Sequence, residues 1–315
     1  KLSVCTEYIV DVLKSQTDNI AKEDAYTLAL FAQDEIKLLR NLQALIGVRY
    51  IYHENFKNHA TPNVALMYKP GKFNFRASYA AGFRTPTLSE LYATDIAKKN
   101  DRLTIGNLDL KSEKNNYFSL SAEYVHERFS VSVNAFYNNI RDMIDYNTIA
   151  TGDKAMEQYG HKEVRQRDNI AEAKVHGINV SANAYLGAGF NLIGGYTHLN
   201  TQDVELEQPI DKSIKNAYNI NAQWAHSWKI YRLNINLNGR INSKRFSKSY
   251  GYAPEYQLWN LNTRHSFNLK SVIIEPGCGM ENLFDYMDDR PYNSNYATLT
   301  PGRSFYISLS LKFKS

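Results

Sequence analysis

The 315-residue sequence has a net charge of +5, 22% charged and 43% hydrophobic residues, and 23 Tyr and 14 Phe beside 3 Trp. Its mean hydropathy is −0.49, and no apolar run approaches the ~18 residues of a membrane-crossing helix, so a helical membrane protein is excluded. The small basic excess, without a basic helix or a stacking motif, gives no support to a nucleic-acid partner.

From Lys1 the chain opens directly into strand-like sequence, LSVCTEYIV, with no leader before it. The sequence is therefore read as the C-terminal part of a longer exported chain. Fourteen strands are predicted, at 1–13, 25–37, 40–52, 62–69, 72–83, 114–126, 129–148, 168–186, 189–199, 215–227, 230–243, 256–268, 271–284 and 304–313. The signal is period-two alternation. Phe129, Val131, Val133 and Ala135 alternate with Ser130, Ser132 and Asn134, and Ile178, Val180, Ala182 and Ala184 with Asn179, Ser181 and Asn183. Leu233, Ile235, Leu237, Gly239 and Ile241 alternate with Asn234, Asn236, Asn238, Arg240 and Asn242. The last strand sets Phe305, Ile307, Leu309, Leu311 and Phe313 against Tyr306, Ser308, Ser310 and Lys312.

Connections alternate as well. Short ones fall around Leu39, Pro70-Gly71, Glu127-Arg128, Gly187-Ala188, Trp228-Lys229 and Lys270; long ones at 14–24, 53–61, 84–113, 149–167, 200–214, 244–255 and 285–303. Strands of ~9–11 residues, one apolar face, short turns on one rim and long loops on the other describe an all-β, antiparallel transmembrane β-barrel. A β-sandwich also alternates, but does not readily give fourteen such strands with strict short–long connections.

Three segments resemble the TonB-dependent receptor family. ALFAQDEIKLLRNLQALIGVRYIYHENFKNHATPNVALMYKP, residues 29–70, is similar to its mid-barrel hairpin. FRASYAAGFRTPTLSELY (75–92) and IGNLDLKSEKNNYFSLSAEY (105–124) resemble its paired boxes, carried here by Phe83, Arg84, Thr85 and Pro86 and by Asn107, Leu108, Asp109 and Leu110. ENLFDYMDDRPYNSNYATLTPGRSFYISLSLKF, 281–313, is similar to its C-terminal signature. The resemblance implies a 22-stranded barrel closed by a plug. Residues 1–315 are then its last fourteen strands, with the plug, the TonB-contacting box and the first strands upstream. It also implies an outer-membrane location in a Gram-negative cell and TonB as partner. Lipopolysaccharide and a surface lipoprotein are further partners to consider.

Read plainly, Pro86 ends a strand, Thr87 with Glu90 fits a capping box, and Asn107 and Asp109 suit a turn. The same positions, Arg84, Tyr92 and Asn107, are ligand-binding candidates. So are the loop aromatics and their cation, Tyr250, Tyr252, Arg290, Tyr292 and Tyr296, because Tyr and Arg together suit large, flat, partly anionic ligands. His161 is a lone loop histidine that could reach iron or simply be solvated. Lys98, Lys99 and Arg102, and Lys244, Arg245 and Lys248, form local basic clusters that read as solvated charge or as attraction for an anion. Cys5 and Cys278 form no CxxC, so a zinc site or disulfide has little support.

The expected cargo is a ferric siderophore or related chelate, with cobalamin or haem as alternatives and no covalent cofactor. No histidine occurs from 87 to 106, where the haem branch of the family carries one. No GxSxG, HExxH, Walker A or GxGxxG motif is present, so no enzyme is indicated. A barrel enzyme, a passive porin or a glycan importer are the readings from other classes.

Overall fold

The computed structural model describes residues 1–15, 20–98, 101–247, 251–288 and 300–314. The long strands are β1 (Leu2–Ser15), β2 (Ile20–Leu39), β3 (Leu42–His53), β4 (Lys57–Tyr68), β5 (Phe73–Arg84), β8 (Glu113–Val125), β9 (Phe129–Thr151), β10 (Glu163–Gly187), β11 (Phe190–Asp203), β12 (Asn216–Trp228), β13 (Tyr231–Asn242), β16 (Tyr256–Asn268), β17 (Val272–Glu281) and β18 (Ser304–Phe313). They form one antiparallel meander in that order. Between β5 and β8 lie α1 (Leu88–Tyr92), β6 (Thr94–Ala97) and β7 (Arg102–Ile105). Helix α2 (Gly152–Tyr159) caps the β9–β10 hairpin, and β14 (Arg245–Ser247) pairs with β15 (Gly251–Ala253).

All fourteen predicted strands are present. Two connections differ: the long loop predicted at 53–61 is a tight turn at 54–56 with β4 starting at Lys57, and the one predicted at 14–24 is mostly strand, since β1 runs to Ser15 and β2 starts at Ile20. Pro62 sits inside β4 opposite Val48. On its other side β4 pairs with β5 only from Asn63 to Tyr68. A residue without an N–H is tolerated where no partner strand runs alongside. The loops predicted at 84–113, 149–167 and 244–255 carry secondary structure of their own. Strands β9 and β10 also extend well past their predicted ends.

Register shows the two faces directly, because opposed residues share a face. One row runs Phe129, Ala184, Leu192, Ala222, Leu237, Leu261, Met280 and Phe305 across eight strands. The next row, on the other face, runs Tyr185, Asn191, Gln223, Asn236, Asn262, Gly279 and Tyr306. Leu233, Ile235 and Leu237 therefore share a face with Ile307, Leu309 and Leu311, and the asparagine row shares the opposite face with Ser308 and Ser310. The polar face bonds to itself. Asn221 donates to Asn236 at 3.0 Å, the Ser78 and Ser119 hydroxyls meet at 2.7 Å, and Lys312 pairs with Glu275 at 2.7 Å. An asparagine in hydrocarbon without such partners costs several kcal/mol, roughly 4–8 on an alkane scale. The apolar face is thus the lipid face and the polar face lines the interior.

The apolar face has little to pack against within the protein: Ile307 is 88% exposed and Phe313 81%. Both buried apolar clusters lie in the loop layer instead, Leu91 with Leu110 and Ile144, and Ala150 with Ala155 and Val164. Aromatic side chains collect at the short-turn rim. Phe73 packs on Tyr124 and Tyr124 on Phe129; further along, Trp224, His226, Trp228, Tyr231 and Phe267 follow one another. A second band, Tyr8, Tyr26 and Tyr52, lies toward the long-loop rim. Two such belts mark the two interfaces of a bilayer. Among the described residues no ladder joins β1 to β18, so the sheet is open.

Candidate ligand-binding rim

Among the described residues, the connection between β5 and β8 docks against the one between β9 and β10 on one rim. Thr87 caps α1 as its sequence suggests: its side chain accepts from the Glu90 N–H, and Glu90 accepts from the Thr87 N–H. Leu91 then drops into the cluster with Leu110 and Ile144, against which Phe56 and Tyr92 pack. At the foot of this loop Arg84 forks between two carboxylates. Its Nη1 reaches Glu90 Oε2 at 2.8 Å and its Nη2 reaches Glu113 Oε1 at 2.6 Å. Glu113 also accepts the Ile144 N–H at 2.8 Å. Burial pushes the Glu90 carboxyl up, but hydrogen bonds from Arg84 and Thr87 outweigh it and hold the group below the ordinary carboxylate range.

The far box closes the same loop. Asn107 Oδ1 accepts the Asp109 N–H at 2.9 Å, an Asx turn, while its amide donates to the Arg167 carbonyl at 2.9 Å. Leu110 is buried and Leu108 exposed. Strand β7 adds in parallel to the β10 extension, Arg102 opposite Glu163 through Ile105 opposite Gln166. His161 Nδ1 lies 2.9 Å from Asp101 Oδ1, and this bond holds Asp101 below its ordinary range. The loop 84–113 is thereby fastened to the β9–β10 hairpin at both ends.

Arg84, Tyr92, Asn107 and His161 thus belong to one docked unit. Phe83, at the top of β5, stacks on His59 at 4.2 Å. Tyr252 lies on β15 of a different loop, 57% exposed, edge-on to Phe246 at 5.3 Å. Tyr250, Arg290, Tyr292 and Tyr296 lie outside the described residues, as do Lys99 and Lys248. Four residues that the sequence reading did not single out carry much of the geometry. Arg167 lies over the Tyr146 ring at 3.7 Å and donates to its hydroxyl at 2.5 Å, on the exposed part of the hairpin. Asn169 ties Lys111 to Asp142. Buried Asn282 holds both feet of the last loop, donating to the Tyr286 carbonyl at 2.7 Å and the Pro301 carbonyl at 3.1 Å. Apart from Asn282 and Tyr286, the partners are far apart in sequence; only the Asn-Leu-Phe triplet at 282–284 hinted at one of them.

Chemically, the rim offers aromatic faces and guanidinium groups above a wall of amides and hydroxyls. Below it, on the interior face, a recess of about 540 Å³ is lined by Asn219, Asn221, Asn238, Arg240 and Asn260. Such a surface suits a large polar ligand that carries aromatic and anionic groups.

A family model described as TonB dependent receptor-like, beta-barrel matches residues 6–283. The ferric enterobactin receptor of Pseudomonas aeruginosa is 22% identical over 329 aligned positions, covering 93% of this chain and 43% of that protein. A crystal structure of the ferric enterobactin receptor from the same organism superposes with a TM-score of 0.80 at 19% identity, over 99% of this chain and 51% of that one. The siderophore receptor PirA from Acinetobacter baumannii gives 0.78 at 16% identity, over 99% and 52%. At these identities the likeness establishes the fold. The chain spans about half the length of the relatives it matches.

Proposed function

Since this chain belongs to the TonB-dependent receptor β-barrel family, we propose that it forms the last fourteen strands of an outer-membrane receptor that imports a ferric siderophore. The observation that carries the reading is the pairing of a largely polar inner face, its asparagine row foremost, with a rim that holds Arg84, Tyr146, Arg167 and Tyr252. The wall gives a hydrated passage, and the rim gives a grip on a chelate with aromatic or anionic arms. The relatives named above, described as ferric enterobactin and siderophore receptors, support it.

In this reading the exposed edges of β1 and β18 pair with strands supplied by the rest of the receptor, since unpaired edges are not tolerated in lipid. A barrel of ~22 strands needs a plug, and TonB acts on that plug to release the cargo inward. Iron arrives inside its chelate as cargo. No residue here is assigned a catalytic role.

By sequence alone, Tyr250 and Tyr252 fall between β13 and β16, and Arg290, Tyr292 and Tyr296 between β17 and β18. Arg84, Tyr92, Asn107 and His161 fasten the neighbouring loop. Aromatic anchors typically lose more than ~1 kcal/mol of binding when truncated. The full-length receptor is expected to bind one class of ferric siderophore more tightly than haem or cobalamin. Tyr252→Ala and Arg290→Ala should each weaken that binding at least about fivefold. Equilibrium titration with a ferric catecholate, a ferric hydroxamate, haem and cobalamin checks this. Tighter binding of haem or cobalamin would overturn the siderophore reading, and unchanged affinity in both variants would remove these loops as the grip.

A further inference from the structure

The short-turn rim carries a charge asymmetry that siderophore import does not use. Its turns hold six cations, Arg40, Lys69, Lys72, Arg128, Lys229 and Lys270, against one carboxylate, Glu127, among the described residues. Directly above, on the lipid face, the aromatic belt is interrupted by two histidines in a single cross-strand row, His226–Leu233–His265. Three adjacent strands at ~4.8 Å spacing put them about 10 Å apart. His226 lies between Trp224 and Trp228, with ring centroids at 6.0 and 4.4 Å, and His265 Nδ1 bonds the Tyr231 hydroxyl at 2.8 Å. Lys229 and Lys270 are exposed on the two turns that bracket this row. Above it a groove of about 540 Å³ opens on the same face, lined by Phe190, Leu192, Ala222, Ile235, Leu237 and Leu261, with Trp224 at its edge.

We infer that groove and histidine row form one binding site for an anionic glycerophospholipid of the leaflet on the short-turn side. An acyl chain fills the groove between β11 and β13, and the phosphate meets His226, His265, Lys229 and Lys270. Each half needs the other. An apolar groove on a lipid-facing wall accepts any chain, and turn lysines alone attract any anion. A chain-sized groove bounded by Trp224, with cation-flanked histidines just beyond it on the same face, selects a molecule carrying both groups. Indole and phenol rings beside the phosphate hold it at interfacial depth. The site lies at the opposite rim from the ligand-binding loops and goes beyond the import reading.

The test is native mass spectrometry of the full-length receptor in detergent micelles. These are supplied with equal amounts of phosphatidylglycerol and phosphatidylethanolamine of matched chains. Wild type is expected to retain phosphatidylglycerol at least about fivefold over phosphatidylethanolamine. The His226→Gln/His265→Gln double variant and the Lys229→Gln/Lys270→Gln double variant should each abolish that preference while still retaining some lipid. Ala222→Phe, which fills the groove, should lower retention of both lipids. Free inorganic phosphate at millimolar concentration should not compete, because it has no chain for the groove. Heat-modifiable gel mobility confirms that each variant is folded. Equal retention of the two lipids by wild type overturns the inference. So does a preference that survives both double variants, retention unaffected by Ala222→Phe, or displacement by phosphate alone.

Discussion

Leu237→Arg in the full-length receptor should lower the unfolding free energy of the barrel by about 2–4 kcal/mol, and Asn236→Arg, its immediate neighbour, by less than ~0.5. Leu237 lies near the middle of β13, between Ala222 and Leu261 on the face that meets hydrocarbon. A guanidinium there must be desolvated or must drag water and headgroups inward. Asn236 lies between Gln223 and Asn262 on the interior face, where an arginine finds amides and solvent. One step along the strand therefore separates a costly change from a mild one. Urea unfolding of the receptor in lipid vesicles, followed by tryptophan fluorescence, gives both values. A larger loss for Asn236→Arg would reverse the assignment of the two faces.

The second large effect is expected at Arg84. Its guanidinium is 42% exposed, but the carboxylates it joins, Glu90 and Glu113, are 14% and 15% exposed. Removing the cation leaves two poorly solvated like charges facing one vacated site. Arg84→Ala is expected to weaken docking of the 84–113 loop by roughly 2–4 kcal/mol, somewhat less than the ~3–5 for breaking a fully buried pair because the guanidinium is partly solvated. Arg84→Lys should recover only part, since an ammonium cannot fork to two partners at once. Glu113→Gln in the Arg84→Ala background should restore some of the loss by removing one charge.

The same triad sets a pH dependence. Glu90 is depressed in the folded loop, so its contribution is complete above the ordinary carboxylate value of 4.5 and is lost as pH falls through the lowered one. Hydrogen-exchange protection of residues 88–98 and 101–110, taken relative to the intrinsic rate at each pH, should be constant well above the ordinary carboxylate value of 4.5 and fall only below it. Protection in Arg84→Ala equal to wild type, with no fall in acid, would remove the triad as the clamp.

How much of this was legible in the sequence depended on range. Alternation is local information, and it placed every long strand, because each residue of Leu233–Asn242 reports its own face. The capping box was legible for the same reason: Thr87 and Glu90 are neighbours on one helical turn. The tight turn at 54–56 was not legible: β4 runs back through Pro62 to Lys57, and that is tolerated because β5 does not pair alongside Pro62, a fact about another strand. The partner of Arg84 was hidden as well. Glu113 lies 29 positions away and becomes adjacent only when β5 pairs with β8. The parallel seam between β7 and β10, and the Arg167–Tyr146 contact, depend on a hairpin extension that no local pattern marks. Candidate ligand residues were readable as a type, Tyr and Arg on long loops. Their grouping was not, since Arg84, Asn107 and His161 form one unit only through the docked loop.

If this wall belongs to an energised importer of ferric siderophore, uptake must draw on TonB and on the inner-membrane proton gradient. The decisive measurement is uptake of radiolabelled iron in cells that express the full-length receptor and lack other siderophore receptors. Uptake of the ferric siderophore that binds best is measured with TonB present, with TonB deleted, and after collapse of the inner-membrane proton gradient. Accumulation above the external concentration is expected only when TonB and the gradient are both intact, with surface binding unchanged in the other two cases. Accumulation that persists without TonB, or that stops at equilibrium with the medium, would contradict energised import.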